Sequence, residues 1–277
     1  MKKPLFNKIC IVGVGLIGGS LGLAIRQNNL AKEVVGVSRR SWKLGKIKGV
    51  IDQGYFPNEI GEALKDADLV VLALPVQLNL DFIKKNAHIV GNKALVMDVG
   101  STKSDICKAG KAAFGSRFIG CHPMAGSEKR GVEFADKNLF KKSFCFVSQN
   151  NSQIKHLWNS VGAKTILIDP KVHDHWAAKA SHLPHILSFA LMAQINGNQK
   201  VPVNPSLKNF IRLAKSDPKI WTHIFLSNQK EILNAIDSFK TQLDDLEKKI
   251  GRRSSQDIHN FILLANRHSI AMAPDEI

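Results

Sequence analysis

The sequence predicts an α/β fold, a doubly wound, mainly parallel sheet followed by an all-helical part. Short apolar runs alternate with amphipathic stretches through the first two-thirds of the 277-residue chain, as strand, helix, strand units require. The first run, KICIV, leads straight into GVGLIG, Gly13 to Gly18, with a helical pattern behind it. Beyond Asp169 no β-branched run recurs and helical periodicity takes over. These patterns divide the chain near Ile168, into residues 1–168 and residues 169–277.

In chain order the strands are expected at Lys8 to Val12, Glu33 to Val37, Leu69 to Ala73, Ala94 to Asp98, Arg117 to Gly120, Ser143 to Val147 and Thr165 to Ile168. Each is a short apolar run bounded by polar or turn-forming residues. Helices fill most of the gaps, the first from about Gly15 to Gln27. In the helical part Leu233, Ile236, Phe239, Leu243, Leu246 and Ile250 recur at steps of three and four, close to the repeat of a helix-helix seam. Such a stripe serves a dimer contact or an internal core equally well.

The run Ile9 to Ile25 is uncharged and follows Lys8, so it has the outline of a signal peptide or short membrane span. Five glycines make it a poor hydrophobic helix, and it is short for spanning, so a cytoplasmic protein without a membrane segment is expected. Cys10, Cys107, Cys121 and Cys145 stand far apart with no paired spacing, which suits a reducing compartment. Lys and Arg outnumber Asp and Glu by 39 to 23, a formal charge of +16, so an anionic partner fits. The basic residues are scattered with few interleaved aromatics, which argues against nucleic acid.

The glycine fingerprint reads as the dinucleotide-binding turn of a Rossmann fold. Gly13 would permit the tight turn, Gly15 the approach of backbone to a pyrophosphate, and Gly18 the packing of helix on strand. Leu16 and Ile17 complete the cofactor-binding turn, and the helix N-terminus would face the phosphates. About twenty residues on, where an NAD enzyme carries a carboxylate for the ribose hydroxyl, the chain reads Ser38, Arg39, Arg40. An aspartate would repel the 2′-phosphate of NADP, whereas these side chains could hold it, so NADP is expected and NAD is possible. Two solvated arginines in a loop are the alternative.

The chemistry lies in DVGSTKSDI (Asp98 to Ile106), GCHPMAGSEKRGVEFADKNLF (Gly120 to Phe140) and HDHWAAKASHLPHILSF (His173 to Phe189). With the glycine fingerprint these segments resemble the prephenate and arogenate dehydrogenases of tyrosine biosynthesis, over about Lys8 to Lys240. The resemblance implies a nucleotide-binding domain followed by a helical domain that builds a homodimer. It also implies oxidation of a cyclohexadienol with loss of CO2 and aromatisation of the ring. Prephenate is expected as substrate, with arogenate, or another small carboxylate oxidised by a Rossmann enzyme, as alternatives.

By the same resemblance His122, expected just past a strand end, is the catalytic histidine, and a neutral imidazole suits a hydroxyl-proton acceptor. Ser101 would hydrogen-bond the same hydroxyl, although Ser101 or Thr102 could equally cap the following helix. Arg212 would clamp the ring carboxylate, a task suited to a planar guanidinium. His185 would line the substrate pocket, and Ser127 and Glu128 would stand near the substrate side chain. Asn209 replaces an acidic residue of some relatives and leaves their ionic network in doubt. The histidines at 173, 175, 182 and 185 have a spacing that invites a metal, but Pro184 interrupts their face and no metal is expected. Asp217 before Pro218 reads as a helix cap.

Overall fold

The structure, a computed structural model, describes residues 3–40, 42–126, 129–195 and 203–272. Eight strands form a single sheet: β1 (Phe6–Val12), β2 (Ala31–Val37), β3 (Gln53–Tyr55), β4 (Leu69–Leu72), β5 (Leu95–Asp98), β6 (Phe118–Pro123), β7 (Phe144–Val147) and β8 (Lys164–Leu167), in the order β3-β2-β1-β4-β5-β6-β7-β8. Every neighbouring pair is parallel except β6 and β7. The reversal of strand order between β1 and β4 opens a crevice beyond their carboxyl ends, where sheets of this kind bind ligands.

The two sides of β1 show why the sheet is covered on both faces. Ile9 and Ile11 join one buried cluster with Leu21 and Ile25 of α1 (Leu16–Gln27) and Trp158 of α6 (Ser152–Ser160). Cys10 and Val12 join the other, with Phe82 of α4 (Val76–Asn86) and Ile106 of α5 (Ser104–Phe114). Successive residues of a strand point to opposite faces, so a strand buried on both reads as a continuous apolar run. The expected strands therefore sit within a few residues of the observed ones. β3 was not foreseen, because its three residues QGY at the sheet edge carry no apolar run.

The chain divides into two compact units, Met1–Gln229 and Lys230–Ile277. The helices that follow β8, namely α7 (Pro170–Ala177), α8 (Leu183–Ile195), α9 (Pro205–Ala214) and α10 (Pro218–Ser227), thus share a unit with the sheet. This compact division falls later than the change of pattern near Ile168. Between α7 and α8 the chain makes a π turn over Ala178–His182. Pro184, one residue into α8, cannot donate a helical hydrogen bond, and the widened turn before it accommodates that loss. The second unit holds α11 (Gln229–Gly251) and α12 (Ser255–Met272), and the apolar stripe of α11 leaves Leu233, Leu243 and Ile250 about half exposed.

Candidate active site

A cavity of about 640 Å³ opens beyond the carboxyl ends of the central strands. Its walls include the start of α1 (Gly15, Leu16, Ile17), the segment after β4 (Ala73 to Val76) and Ser101, while β6 contributes His122 and Pro123. The helical side adds Ser181, His185, Arg212 and Trp221. Residues far apart in sequence, expected to serve one reaction, therefore face one space.

The glycine turn has the form its fingerprint implies. Gly13 has φ +108°, and a Cβ there would lie 2.5 Å from the Ala73 carbonyl oxygen. A Cβ on Gly18 would meet the Gly13 carbonyl oxygen, which fixes the close contact of helix and strand. Gly15 caps α1 with no side-chain hydrogen bond, and no atom lies within 4 Å of where its Cβ would stand. The unpaired N–H groups of α1 therefore open onto free space at the cavity wall, and this cradle fits a dinucleotide's phosphates. Ser38 follows the last residue of β2 and donates its N–H to the Tyr55 carbonyl at 3.1 Å. Arg39 and Arg40 are exposed just beyond and do not line the cavity.

His122 lies within β6 rather than just past it, because the strand runs on to Pro123 by pairing with β7, His122 opposite Phe146. Its Nδ1 is 2.9 Å from Nε2 of His173, and Nδ1 of His173 is 2.9 Å from Oδ1 of Asp174. Burial holds the His122 imidazole well below its ordinary range, and His173, Lys103 and His182 nearby add to that. His122 is thus neutral at physiological pH and able to take a proton.

Neither Ser101 nor Thr102 caps α5, so the alternative offered for these two residues does not hold. The Thr102 hydroxyl donates to Ser227 Oγ at 3.1 Å, and Asp174 reaches from α7 to accept the N–H groups of Lys103 and Ser104, each at 2.7 Å. Ser101 is left facing the cavity. Below it Lys103 and Asp98 form a buried ion pair, with Gly100 N and Cys121 N also donating to the carboxylate.

His185 donates Nδ1–H to the Ser181 carbonyl at 2.9 Å and stacks on Trp221, ring centres 3.7 Å apart. Asp217 accepts from Lys219 N and Ile220 N as the cap of α10, and it also pairs with Arg130 from the loop after β6. Asn209 is exposed on α9 and does not line the cavity. Ser127 and Glu128 lie outside the described residues. Among the described residues no three His, Cys, Asp or Glu side chains gather as a metal site would need. The spaced histidines instead go separate ways, His182 meeting the Asn228 amide at 3.2 Å.

The sequence reading missed His173, Asp174, Lys103 and Asp98 as parts of this site. His173 was legible only as one of four spaced histidines and Asp174 not at all, because their partner His122 is 51 residues from His173.

Residues 21–167 match the family description "Prephenate dehydrogenase, nucleotide-binding domain", and residues 169–264 match "Prephenate dehydrogenase, dimerization domain". The chain is 35% identical over 266 residues to the prephenate dehydrogenase of Lactococcus lactis subsp. cremoris (strain MG1363), covering 92% of this chain and 74% of that protein. Its fold is similar to the crystal structure of prephenate dehydrogenase from A. aeolicus in complex with hydroxyphenyl propionate and NAD+, with a TM-score of 0.88 and 27% identity over 96% of this chain and 98% of that one. It is also similar to the Synechocystis arogenate dehydrogenase, with a TM-score of 0.80 and 25% identity over 96% and 99%. Among the described residues no helix is long and apolar enough to cross a membrane.

Proposed function

The chain belongs to the prephenate dehydrogenase family, and we propose that it catalyses the oxidative decarboxylation of prephenate to 4-hydroxyphenylpyruvate with NADP, as a cytoplasmic homodimer. One observation carries the reading. The uncapped start of α1, the neutral imidazole of His122 and the guanidinium of Arg212 border the same cavity.

Gly13, Gly15, Leu16, Ile17 and Gly18 would hold the pyrophosphate at the head of α1, and Ser38, Arg39 and Arg40 the 2′-phosphate of the adenosine ribose. When bound, the nicotinamide supplies the acceptor for the hydride. Arg212 binds the ring carboxylate and sets the carbinol carbon toward the cofactor side of the cavity. Ser101 and His122 hold the ring hydroxyl, and His122 takes its proton as hydride leaves the same carbon. The bond to the ring carboxylate then breaks, its electron pair enters the ring, CO2 departs, and the phenol hydroxyl regains a proton. His185, held by Ser181 and Trp221, closes the wall beside the ring.

Prephenate is preferred to arogenate in this reading because of charge. Lys129, Arg130 and Arg212 line the cavity, and among the described residues no Asp or Glu does. A keto acid with two carboxylates suits that lining better than a substrate carrying an ammonium group. The homodimer reading is supported by apolar side chains left about half exposed on the second unit, Leu233 and Ile250 of α11 and Ile262 and Leu264 of α12. The direct test compares kcat/KM for prephenate and arogenate, each with NADP and NAD. Prephenate with NADP is expected to give the highest value. A higher value for arogenate would overturn the substrate assignment, and a higher value with NAD the cofactor assignment.

A further inference from the structure

Asp174 is an unusually constrained carboxylate for a residue in the middle of a short helix. Oδ1 accepts from Lys103 N at 2.7 Å and from the His173 ring at 2.9 Å, and Oδ2 accepts from Ser104 N at 2.7 Å. Its own carbonyl takes the Asn228 amide at 2.8 Å. His173 is fully buried between this carboxylate and His122, with its ring edge-on to Phe146 at 5.3 Å. Phe146 is in turn the register partner of His122 across β6 and β7. Both ends of the His173 ring are thus fixed.

From this geometry we propose that His173 and Asp174 are positioning residues that set the tautomer of His122, an inference that rests on reading His122 as the proton acceptor. A carboxylate can only accept, so His173 donates to it from Nδ1, and in this proposal its ring carries no second proton. Its Nε2 is then a bare lone pair and must accept from His122. The proton of His122 therefore sits on its Nδ1, and the lone pair on Nε2 belongs to a residue that lines the cavity. When His122 takes the substrate proton, its Nδ1–H already points along a chain that ends in a negative charge, which offsets the charge formed on the ring. The other charged or titratable groups near His122 do not compete for that nitrogen. The Lys103 ammonium is engaged by Asp98, and His182 meets Asn228.

The assignment is tested by 15N NMR of the native protein with labelled histidines at neutral pH, together with kinetics of Asp174→Asn and His173→Gln. The native spectrum is expected to show His122 protonated at Nδ1 and bare at Nε2. Each variant is expected to lower kcat about ten- to a hundredfold, and in His173→Gln, which leaves the Asp174 cap of α5 in place, the KM for prephenate and the Kd for NADP stay within about twofold because only the base is misdirected. The spectrum needs no variant, so it decides the point even if Asp174→Asn fails to fold. A native His122 protonated at Nε2 would overturn the proposal. So would native kcat in both variants while His122→Asn is slow. Native turnover in His122→Asn would instead remove the reading on which the proposal rests.

Discussion

Arg212 lines the cavity near His185, whose proton affinity burial lowers most, the Ser181 hydrogen bond raises, and the Arg212 charge lowers further. Its proposed partner is the substrate's ring carboxylate alone, which makes its removal diagnostic. Arg212→Ala is expected to raise the KM for prephenate about ten- to a hundredfold, the loss of a charged hydrogen-bonded pair. The Kd for NADP, measured by fluorescence titration, should hardly change, and an unchanged prephenate KM would contradict the assignment. At this scale the residues whose chemistry is local were legible in sequence. Gly13 and Gly18 announce a turn that no side chain fits, and both would collide with neighbouring backbone if substituted. His173 and Asp174 were not legible as partners of His122, since nothing in HDHW specifies the strand they meet.

Among the elements, β5 and α5 carry the site's foundation. The DVG turn between them brings Asp98 and Lys103 together with side chains almost wholly buried, and the start of α5 is capped from α7 by Asp174. Removing one partner of a buried pair leaves the other charge uncompensated. Lys103→Met should therefore destabilise the protein by about 3–5 kcal/mol, read as a lower midpoint in urea unfolding. An unchanged midpoint would show that Asp98 is not held as an ion. The strands were legible because buried parallel strands are written as apolar runs, while β3 and the last residues of β6 were not. β3 is an edge strand of three residues, and β6 continues to Pro123 only because β7 lies antiparallel beside it. The cap of α5 was not legible for a related reason. Ser101 and Thr102 have the right residue types nearby, but the carboxylate that does the capping comes from 70 residues away.

For the whole molecule, the strand order sets the crevice beyond β1 and β4, the helices from α8 to α10 wall it, and a net charge of +16 suits anionic ligands. That a sheet is followed by helices was legible from the change in periodicity along the chain. Less legible was how the first helices after β8 build one compact unit with the sheet, since that follows from contacts such as those of Asp174. In the proposed reaction this cavity oxidises prephenate with His122 as the proton acceptor. The most direct measurement is the pH dependence of reduced-nicotinamide formation from prephenate by the native chain and by His122→Asn. Because His122 is held low by burial first and by its neighbours second, it stays neutral at neutral pH, and the native rate should fall only below the ordinary histidine range near pH 6.5. His122→Asn should be slower by about 10²–10⁴-fold, with NADP affinity intact and no acid limb. Native turnover in that variant, or the same acid limb in both, would contradict the claim.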